Sequence, residues 1–160
     1  MTIIKWNGKI YQKAIERDEG RMVVESKRKE KTCCFYVSEF HLEMILVPYI
    51  NEIIEQNITI LTQKKLNETM EILISKINLK PDNKEKILNL KWDGEEEIKE
   101  NSNIIIIGSK QYIENKNKEI SNKNVLSILD CYAFEEEKNN INEIVKGYKN
   151  VLNTLGKKEI

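Results

Sequence analysis

From Cys33 onward, short apolar runs alternate with stretches in which apolar residues recur every three or four positions. Runs that are apolar on both faces and rich in β-branched or aromatic residues are typical of strands buried in a parallel sheet. Four runs therefore are predicted strands: CCFYV at 33–37, NITIL at 57–61, NIIII at 103–107 and NVLSILD at 124–130. A fifth short strand is predicted near Leu88 to Lys91, behind a short helix opened by Asp82.

Helices are predicted between these strands. The first runs from about Glu39 to Gln56, with Ser38 as its N-cap and Pro48 inside it. In the second, apolar residues fall on a single face, at positions Leu66, Met70, Leu73, Ile74 and Ile77.

Two more helices follow the strand at 103–107. One runs from Lys110 to about Asn122 with an exposed face. The last carries three glutamates in its first turn, which the helix dipole favours, and its apolar stripe continues through Leu152 and Leu155 to Gly156. Five strands separated by helices predict βαβ units with helices on both sheet faces. The sequence thus indicates a three-layer α/β fold with a mostly parallel five-stranded sheet, RecA-like or flavodoxin-like.

The first thirty residues have a β pattern. Asn7-Gly8 between two apolar-rich runs predicts a hairpin, and residues 22–24 add a third strand. An isolated ribbon is marginal in water, so this extension needs a surface to cover. It extends the edge of the sheet, packs over a helix layer, or meets its copy in a homodimer to which residues 1–28 contribute. We expect one domain, with an N-terminal β extension at 1–30 and an α/β core at 31–160.

Composition excludes several classes of protein. Hydrophobic content of 40% and charged content of 32% are typical of a globular protein. Lys plus Arg balance Asp plus Glu at 26 each, so no global field attracts nucleic acid or anionic lipid. The apolar runs are too short to span a bilayer, and the first residues lack a secretory-signal pattern. The abundance of Ile, Asn, Lys and Glu is typical of an AT-rich bacterial genome.

Three cysteines, two of them adjacent and none in a C-x-x-C spacing, argue against a disulfide framework and against a zinc site. Reduced thiols indicate a cytoplasmic protein. The basic run at 27–31 contains no interleaved aromatic residue, which favours a charged strand end over a nucleic-acid contact.

The order strand, Gly108, Ser109, Lys110, helix resembles a phosphate-binding loop. A Walker loop needs a second glycine upstream and Ser or Thr after the lysine, and this chain has neither. Ser109 as an N-cap explains the triplet, and a weak anion site at that helix N-terminus stays open as an alternative.

In parallel sheets, ligands bind beyond the carboxyl ends of the strands. His41 is the single histidine and a candidate general base, although no carboxylate partner is evident. Trp92 is either a lid over the hairpin or a flat surface for a planar ligand. Asp130, Cys131 and Tyr132 form the most site-like cluster. The predicted ligand-binding residues are Ser38, His41, Trp92, Ser109, Lys110, Asp130 and Tyr132.

The stretch CCFYVSEFHLEMILVPYINEIIEQNITILT, at 33–62, resembles the first βαβ unit of the MEDS family, the sensory domains of methanogen and methylotroph DcmR-type regulators. The shared features are the aromatic FY in the strand, Ser38-Glu39 at the turn, and Val47 to Ile50 within the helix. The resemblance implies a RecA-like core without a working nucleotide loop, and the sensing of small molecules. Lys31-Thr32 stand where the family has a histidine, and no motif matches beyond Leu66, so no binding residue is carried over.

These observations favour a non-catalytic, cytoplasmic regulatory or sensory module. It binds a small ligand or a partner protein at the strand carboxyl ends, and we expect no catalytic residue, cofactor, metal, nucleic acid or membrane partner. Two alternatives stay open: a small enzyme that uses Asp130, Cys131 or His41, and an assembly protein that acts through its N-terminal extension.

Overall fold

The computed structural model of the protein describes residues 3–6, 9–12 and 30–160, with side chains from residue 30 onward except those of 67 and 68. Strands β1 (Ile3–Trp6) and β2 (Lys9–Gln12) pair antiparallel in a two-stranded sheet of their own. The turn predicted at Asn7-Gly8 and the third strand predicted at 22–24 lie outside the described residues.

From residue 30, strands and helices alternate along the chain. The strands are β3 (Glu30–Tyr36), β4 (Asn57–Thr62), β5 (Ser102–Ile107), β6 (Val125–Ala133), β7 (Asn150–Asn153) and β8 (Gly156–Glu159). The helices are α1 (Glu39–Glu52), α2 (Asn67–Lys76), α3 (Pro81–Leu88), α4 (Lys110–Ile120), α5 (Phe134–Glu137) and α6 (Ile141–Val145). No helix in this part of the chain has the length and apolar character needed to cross a membrane.

The six strands form one sheet in the order β4-β5-β6-β3-β7-β8. The first five are parallel to one another, and β8 runs antiparallel to β7. The predicted α/β class and the mostly parallel sheet are thus confirmed, with six strands instead of five. Numbered along the chain, the parallel strands lie in the order 2-3-4-1-5, which differs from the 2-1-3-4-5 order of flavodoxin.

Two predicted elements are wrong. No strand forms near Leu88 to Lys91, because α3 continues to Leu88 and a turn follows it. The predicted final helix is also absent: α5 and α6 are short, and the chain then turns into the β7–β8 hairpin. Gly156, with φ at +115°, is the first residue of β8 and directly follows the turn of this hairpin.

Pairing with the sheet explains why Leu152 is in a strand. In β7, residues opposite Thr32, Cys33 and Cys34 complete the hydrogen bonds of β3, which otherwise would have an open edge. Leu152 is buried in this arrangement, whereas Leu155 is 96% exposed at the hairpin turn. Leu152 and Leu155 have the spacing of residues on one face of a helix, but in the structure they do not share a buried face.

Alternation along the strands sends side chains to two apolar layers. Helices α1, α2 and α3 cover one side of the sheet, where their apolar residues pack on Cys34, Leu129 and Cys131. Helix α4 and the α6 segment cover the other side, where they pack on Cys33, Ile128 and Tyr132. The predicted face of α2 is confirmed: Met70, Leu73 and Ile74 are buried, as is Leu66 at the N-cap, and Ile77 at the C-cap is partly buried against the same cluster.

Residues 94–99 cover the outer edge of β4. The Thr62 amide donates to the Gly94 carbonyl at 3.2 Å, and the Ile60 amide donates to Glu96 Oε1 at 3.1 Å. Lys99 Nζ donates to the Ile58 carbonyl at 3.2 Å. At the other end of the sheet, β8 has no further neighbour among the described strands.

Candidate functional site

A groove with a volume of about 590 Å³ lies between α4 and the α6 segment, on the side of the sheet opposite α1. We call it the α4–α6 groove. Helix α4 contributes Lys110, Glu114 and Lys118, which recur every four residues and so share one face of the helix. The other lining residues are Lys31, Ile113, Asn117, Tyr132, Asn140, Glu143, Ile144, Gly147 and Tyr148.

A buried carboxylate lies beneath this groove. Asp130 has no exposed side-chain surface, and its Oδ2 accepts a hydrogen bond from the Tyr148 hydroxyl at 2.5 Å. Asn117 Nδ2 donates to the same atom at 3.1 Å, and Lys31 Nζ lies 4.0 Å away. A buried charge is stable only with such partners, which explains an aspartate in an otherwise apolar strand.

The two tyrosines extend this network toward the groove. Each hydroxyl has one hydrogen, and that of Tyr148 is donated to Asp130, so the Tyr132 hydroxyl donates to Tyr148 at 2.5 Å. The Tyr132 ring also stacks on Phe35, with the ring centroids 5.6 Å apart. The phenols are therefore fixed in position, and the Tyr132 oxygen keeps its lone pairs as acceptors.

Burial raises the pKa of Asp130 to about 6, because desolvation disfavours the charged form. Hydrogen bonds from Tyr148 and Asn117 and the positive charge of Lys31 act in the opposite direction and lower that pKa. Burial likewise raises the pKa of Tyr148, and the Asp130 charge adds to this effect.

The thiol of the predicted Asp130–Cys131–Tyr132 cluster lies elsewhere. Successive residues of a strand face opposite sides, so Cys131 points to the α1–α3 layer while its neighbours face the α4–α6 groove. Cys131 is completely buried, and burial raises the pKa of its thiol well above the ordinary range. The structure thus separates Cys131 from Asp130.

We expect Cys33, Cys34 and Cys131 to react slowly with a thiol reagent in the native protein and rapidly after unfolding. All three are buried, and burial raises the pKa of Cys33 to about 12, so little thiolate forms. Mass spectrometry of labelled peptides, with and without urea, measures the three rates. Rapid native labelling of Cys131 would contradict its burial.

The two predicted residues at the end of β3 serve the start of α1. Ser38 Oγ accepts from the His41 amide at 3.1 Å and is the N-cap of the helix. His41 Nδ1 accepts from the Val37 amide at 3.0 Å, so the imidazole is held by its own turn. Neither residue lines the α4–α6 groove.

Trp92 is a core residue. It is 1% exposed, and its Nε1 donates to the Ile87 carbonyl at 2.9 Å. A flat surface for a planar ligand must be accessible, so that interpretation of Trp92 is wrong. The indole instead fills the space beside α3, in the same apolar cluster as Ile87.

The Gly108-Ser109-Lys110 turn is occupied by protein groups. The Ser109 amide donates to Gln63 Oε1 at 2.7 Å, where an anion would otherwise meet it, and Ser109 Oγ accepts from the Tyr112 amide at 3.2 Å. A Cβ at Gly108 would lie 2.5 Å from Gln63 Oε1 and 2.6 Å from Tyr112 Cδ2, so a larger residue would have to displace both side chains. Ser109 therefore has the predicted capping geometry.

We expect Ser109→Ala to lower the free energy of unfolding by about 1 kcal/mol, the usual loss of an N-cap. Lys110→Ala is expected to change it by less than about 0.5 kcal/mol, because the Lys110–Glu114 ion pair at 3.6 Å is exposed. Urea denaturation of both variants measures the two values. Equal losses would show that capping is not the role of Ser109.

Of the seven predicted residues, three belong to the groove or its base: Lys110, Asp130 and Tyr132. Sequence reasoning missed Lys31, Asn117 and Tyr148. Asn117 lies two turns after Lys110 on α4, a spacing that the sequence shows. In the sequence, Lys31 belongs to a basic run and Tyr148 follows a helical pattern, so only the fold brings these two residues to Asp130.

In comparisons with known proteins, no family model, curated protein or solved structure matches this chain. What the groove can bind follows from its own side chains. Its volume is in the range of small-molecule sites, and its walls combine apolar surface with a few amines, amides and carboxylates. Among residues 30–160, no three His, Cys, Asp or Glu side chains converge to hold a metal.

Proposed function

We propose that the protein is a regulatory or sensory module that binds a small molecule in the α4–α6 groove. The observation that carries this proposal is the buried network of Asp130, Tyr148 and Asn117 directly beneath an open groove. Buried polar networks are costly unless fully paired, and here one is placed where a ligand can alter its charges. The proposed site extends along one face of the sheet, from Lys110 to Lys31, and is not confined to the carboxyl ends of the strands.

The positions of the candidate catalytic groups support binding over catalysis. Asp130 is fully buried and already engaged by Tyr148 and Asn117, so a substrate cannot reach it without displacing them. His41 is held in the turn before α1, and Cys131 lies across the sheet. None of the three groups that the enzyme alternative uses is among the residues that line the α4–α6 groove.

The sensory part of the proposal rests on the resemblance of residues 33–62 to the MEDS family. This stretch covers most of β3, all of α1 and β4, which follow one another as a βαβ unit. Only Val37 and Ser38 separate β3 from α1, which is too short to wrap a phosphate. A RecA-like core without a nucleotide loop belongs to this proposal, since the observed strand order differs from that of flavodoxin, the other fold predicted from the sequence.

The homodimer expected from the apolar N-terminal strands is a separate proposal. Light scattering of the full chain at high micromolar concentration tests it, and a monomer would exclude a role of residues 1–28 in dimer formation.

Gly147→Leu tests the groove as the binding site. A Cβ at Gly147 meets nothing closer than the Ile144 carbonyl, at an ordinary 3.7 Å, so the backbone there accepts a side chain, and the groove that Gly147 lines gives that side chain space. We expect compounds that raise the melting temperature of the wild type by several degrees in a thermal-shift screen to lose this effect in Gly147→Leu.

The matched control is Lys84→Ala, in helix α3 on the other side of the sheet, which should keep the effect of every compound. If no metabolite class stabilises the wild type, or if the stabilisation survives Gly147→Leu, the proposed function is wrong.

A further inference from the structure

Lys31 lies at the boundary between the buried network and the α4–α6 groove. Its Nζ is 4.0 Å from Asp130 Oδ2 and 5.0 Å from the centre of the Tyr148 ring. The Lys31 side chain is 36% exposed, whereas that of Asp130 is 0% exposed. The same ammonium can therefore contact a molecule in the groove, at the expense of its contact with Asp130.

The remaining charges of the groove favour an anion. Glu114 pairs with Lys110 at 3.6 Å, and Glu143 pairs with Lys146 at 3.1 Å, so both groove carboxylates have partners. Lys118 forms no ion pair with the side chains that the structure describes from residue 30 onward. Two ammonium groups, those of Lys31 and Lys118, are thus available to a ligand.

The other walls indicate what accompanies the negative charge. Ile113, Ile144 and the fixed Tyr132 ring give the groove an apolar surface, and Gly147 leaves space beside it. The lining contains no arginine, the residue that usually holds a phosphate through two hydrogen bonds. The amide of Ser109, the N-cap of α4, already donates to Gln63. A carboxylate attached to a small apolar body matches these features.

We propose that the groove binds an organic carboxylate through Lys31, and that this binding makes Asp130 take up one proton from solvent. This inference rests on the function proposed above. When the ligand carboxylate forms an ion pair with the Lys31 ammonium, that ammonium moves away from Asp130. Asp130 then stays buried but loses its nearest positive charge. A buried carboxylate without a counter-charge is protonated instead.

Other groups around Asp130 do not replace Lys31. Strand β5, on one side, presents Ile104 and Ile106 to this layer. Strand β3, on the other side, contributes the polar or titratable groups of Lys31 and Cys33. Asn117 of α4, Tyr132 of the same strand as Asp130, and Tyr148 from the segment after α6 also face Asp130. Glu114 and Lys118 lie farther out in the groove. Lys31 is the cation among those that lower the pKa of Asp130.

The direction of the pH dependence follows. Burial already raises the pKa of Asp130 to about 6 in the free protein, and loss of the Lys31 charge raises it further in the complex. Affinity for a carboxylate should therefore increase as the pH falls from 8 toward 6. Below pH 6 it should level off, because Asp130 is then protonated before the ligand arrives.

Calorimetry with benzoate and benzamide tests the charge requirement, since the two probes have similar shapes and differ in charge. Titrations at pH 7 in two buffers of different ionisation enthalpy give the number of protons taken up. We expect benzoate to bind with proton uptake, and benzamide to bind about tenfold more weakly without it. Lys31→Gln should weaken benzoate about tenfold or more, whereas Lys84→Gln on α3 should leave its affinity unchanged.

Asp130→Asn tests the proton acceptor. It should bind benzoate with no proton uptake and no pH dependence between pH 6 and pH 8. Tyr148→Phe provides a second test if Asp130→Asn does not fold. It removes a hydrogen bond that lowers the pKa of Asp130, so the pH dependence should move to higher pH.

Three results would overturn the inference: benzoate binding without proton uptake, equal affinity for benzamide or inorganic phosphate, or no binding of benzoate at millimolar concentration. If any of these occurs while a different compound loses its stabilising effect in Gly147→Leu, the groove is still a binding site. If Gly147→Leu changes the response to no compound at all, the proposed function fails as well.

Discussion

Trp92→Ala is expected to lower the free energy of unfolding by about 3 to 5 kcal/mol, as large-to-small changes of buried aromatic residues do. Trp92 is among the largest side chains that are fully buried, so alanine leaves a cavity beside α3. The substitution also removes the indole donor of the Ile87 carbonyl. The Ile87 carbonyl still accepts from the Leu90 amide at 3.2 Å, so the cavity accounts for most of the expected loss.

Urea denaturation followed by circular dichroism measures this loss. Trp92→Phe keeps most of the volume but not the hydrogen bond, so its loss should be clearly smaller. Leu155→Ala, at a position that is 96% exposed, should stay within about 0.5 kcal/mol of the wild type. A loss below about 1 kcal/mol for Trp92→Ala would show that the indole is not part of the core.

Asp130→Asn is expected to have an effect that depends on pH. The pKa of Asp130 rises from 3.8 to about 6 on folding, because burial penalises the charged form. A raised acid pKa costs stability once the pH exceeds it, and the cost disappears as the pH falls through the range between the two values. At about 1.4 kcal/mol per pKa unit, the full cost at neutral pH is about 3 kcal/mol.

The stability of Asp130→Asn relative to the wild type should therefore rise by up to about 3 kcal/mol between pH 4 and pH 7.5. Urea denaturation at several pH values measures this difference. Asp93→Asn, at an exposed position in the turn before residues 94–99, is the matched control and should show little pH dependence relative to the wild type. A constant difference for Asp130→Asn would mean that Asp130 keeps an ordinary pKa in the folded protein.

Apolar density predicted the central strands, because Ile104 to Ile107 and their neighbours are buried on both faces. It failed for β7 and β8, whose residues are mixed in polarity. Their conformation depends on pairing with the edge of β3, more than a hundred residues earlier in the chain. A helical spacing of leucines cannot report that contact, since it describes only local periodicity.

Candidate-site residues were predictable where an unusual residue interrupts an apolar strand, as Asp130 does. The period of two along a strand would also have separated Cys131 from Asp130 and Tyr132 before the fold was known. Lys31 and Tyr148 carry no such signal. Lys31 lies beside Asp130 because β3 is inserted between β6 and β7, an order that local sequence does not encode.

The two edges of the sheet have different consequences for assembly. Residues 94–99 engage the Thr62 and Ile60 amides and the Ile58 carbonyl of β4, and so cover that edge against the addition of another strand. Within the six-stranded sheet, β8 is the strand left with an unpaired edge, and it carries Lys157, Lys158 and Glu159. A molecule with one unpaired sheet edge can pair with only one copy of itself through that edge. Growth by sheet extension would then stop at two molecules, which protects the described sheet from forming open-ended fibres.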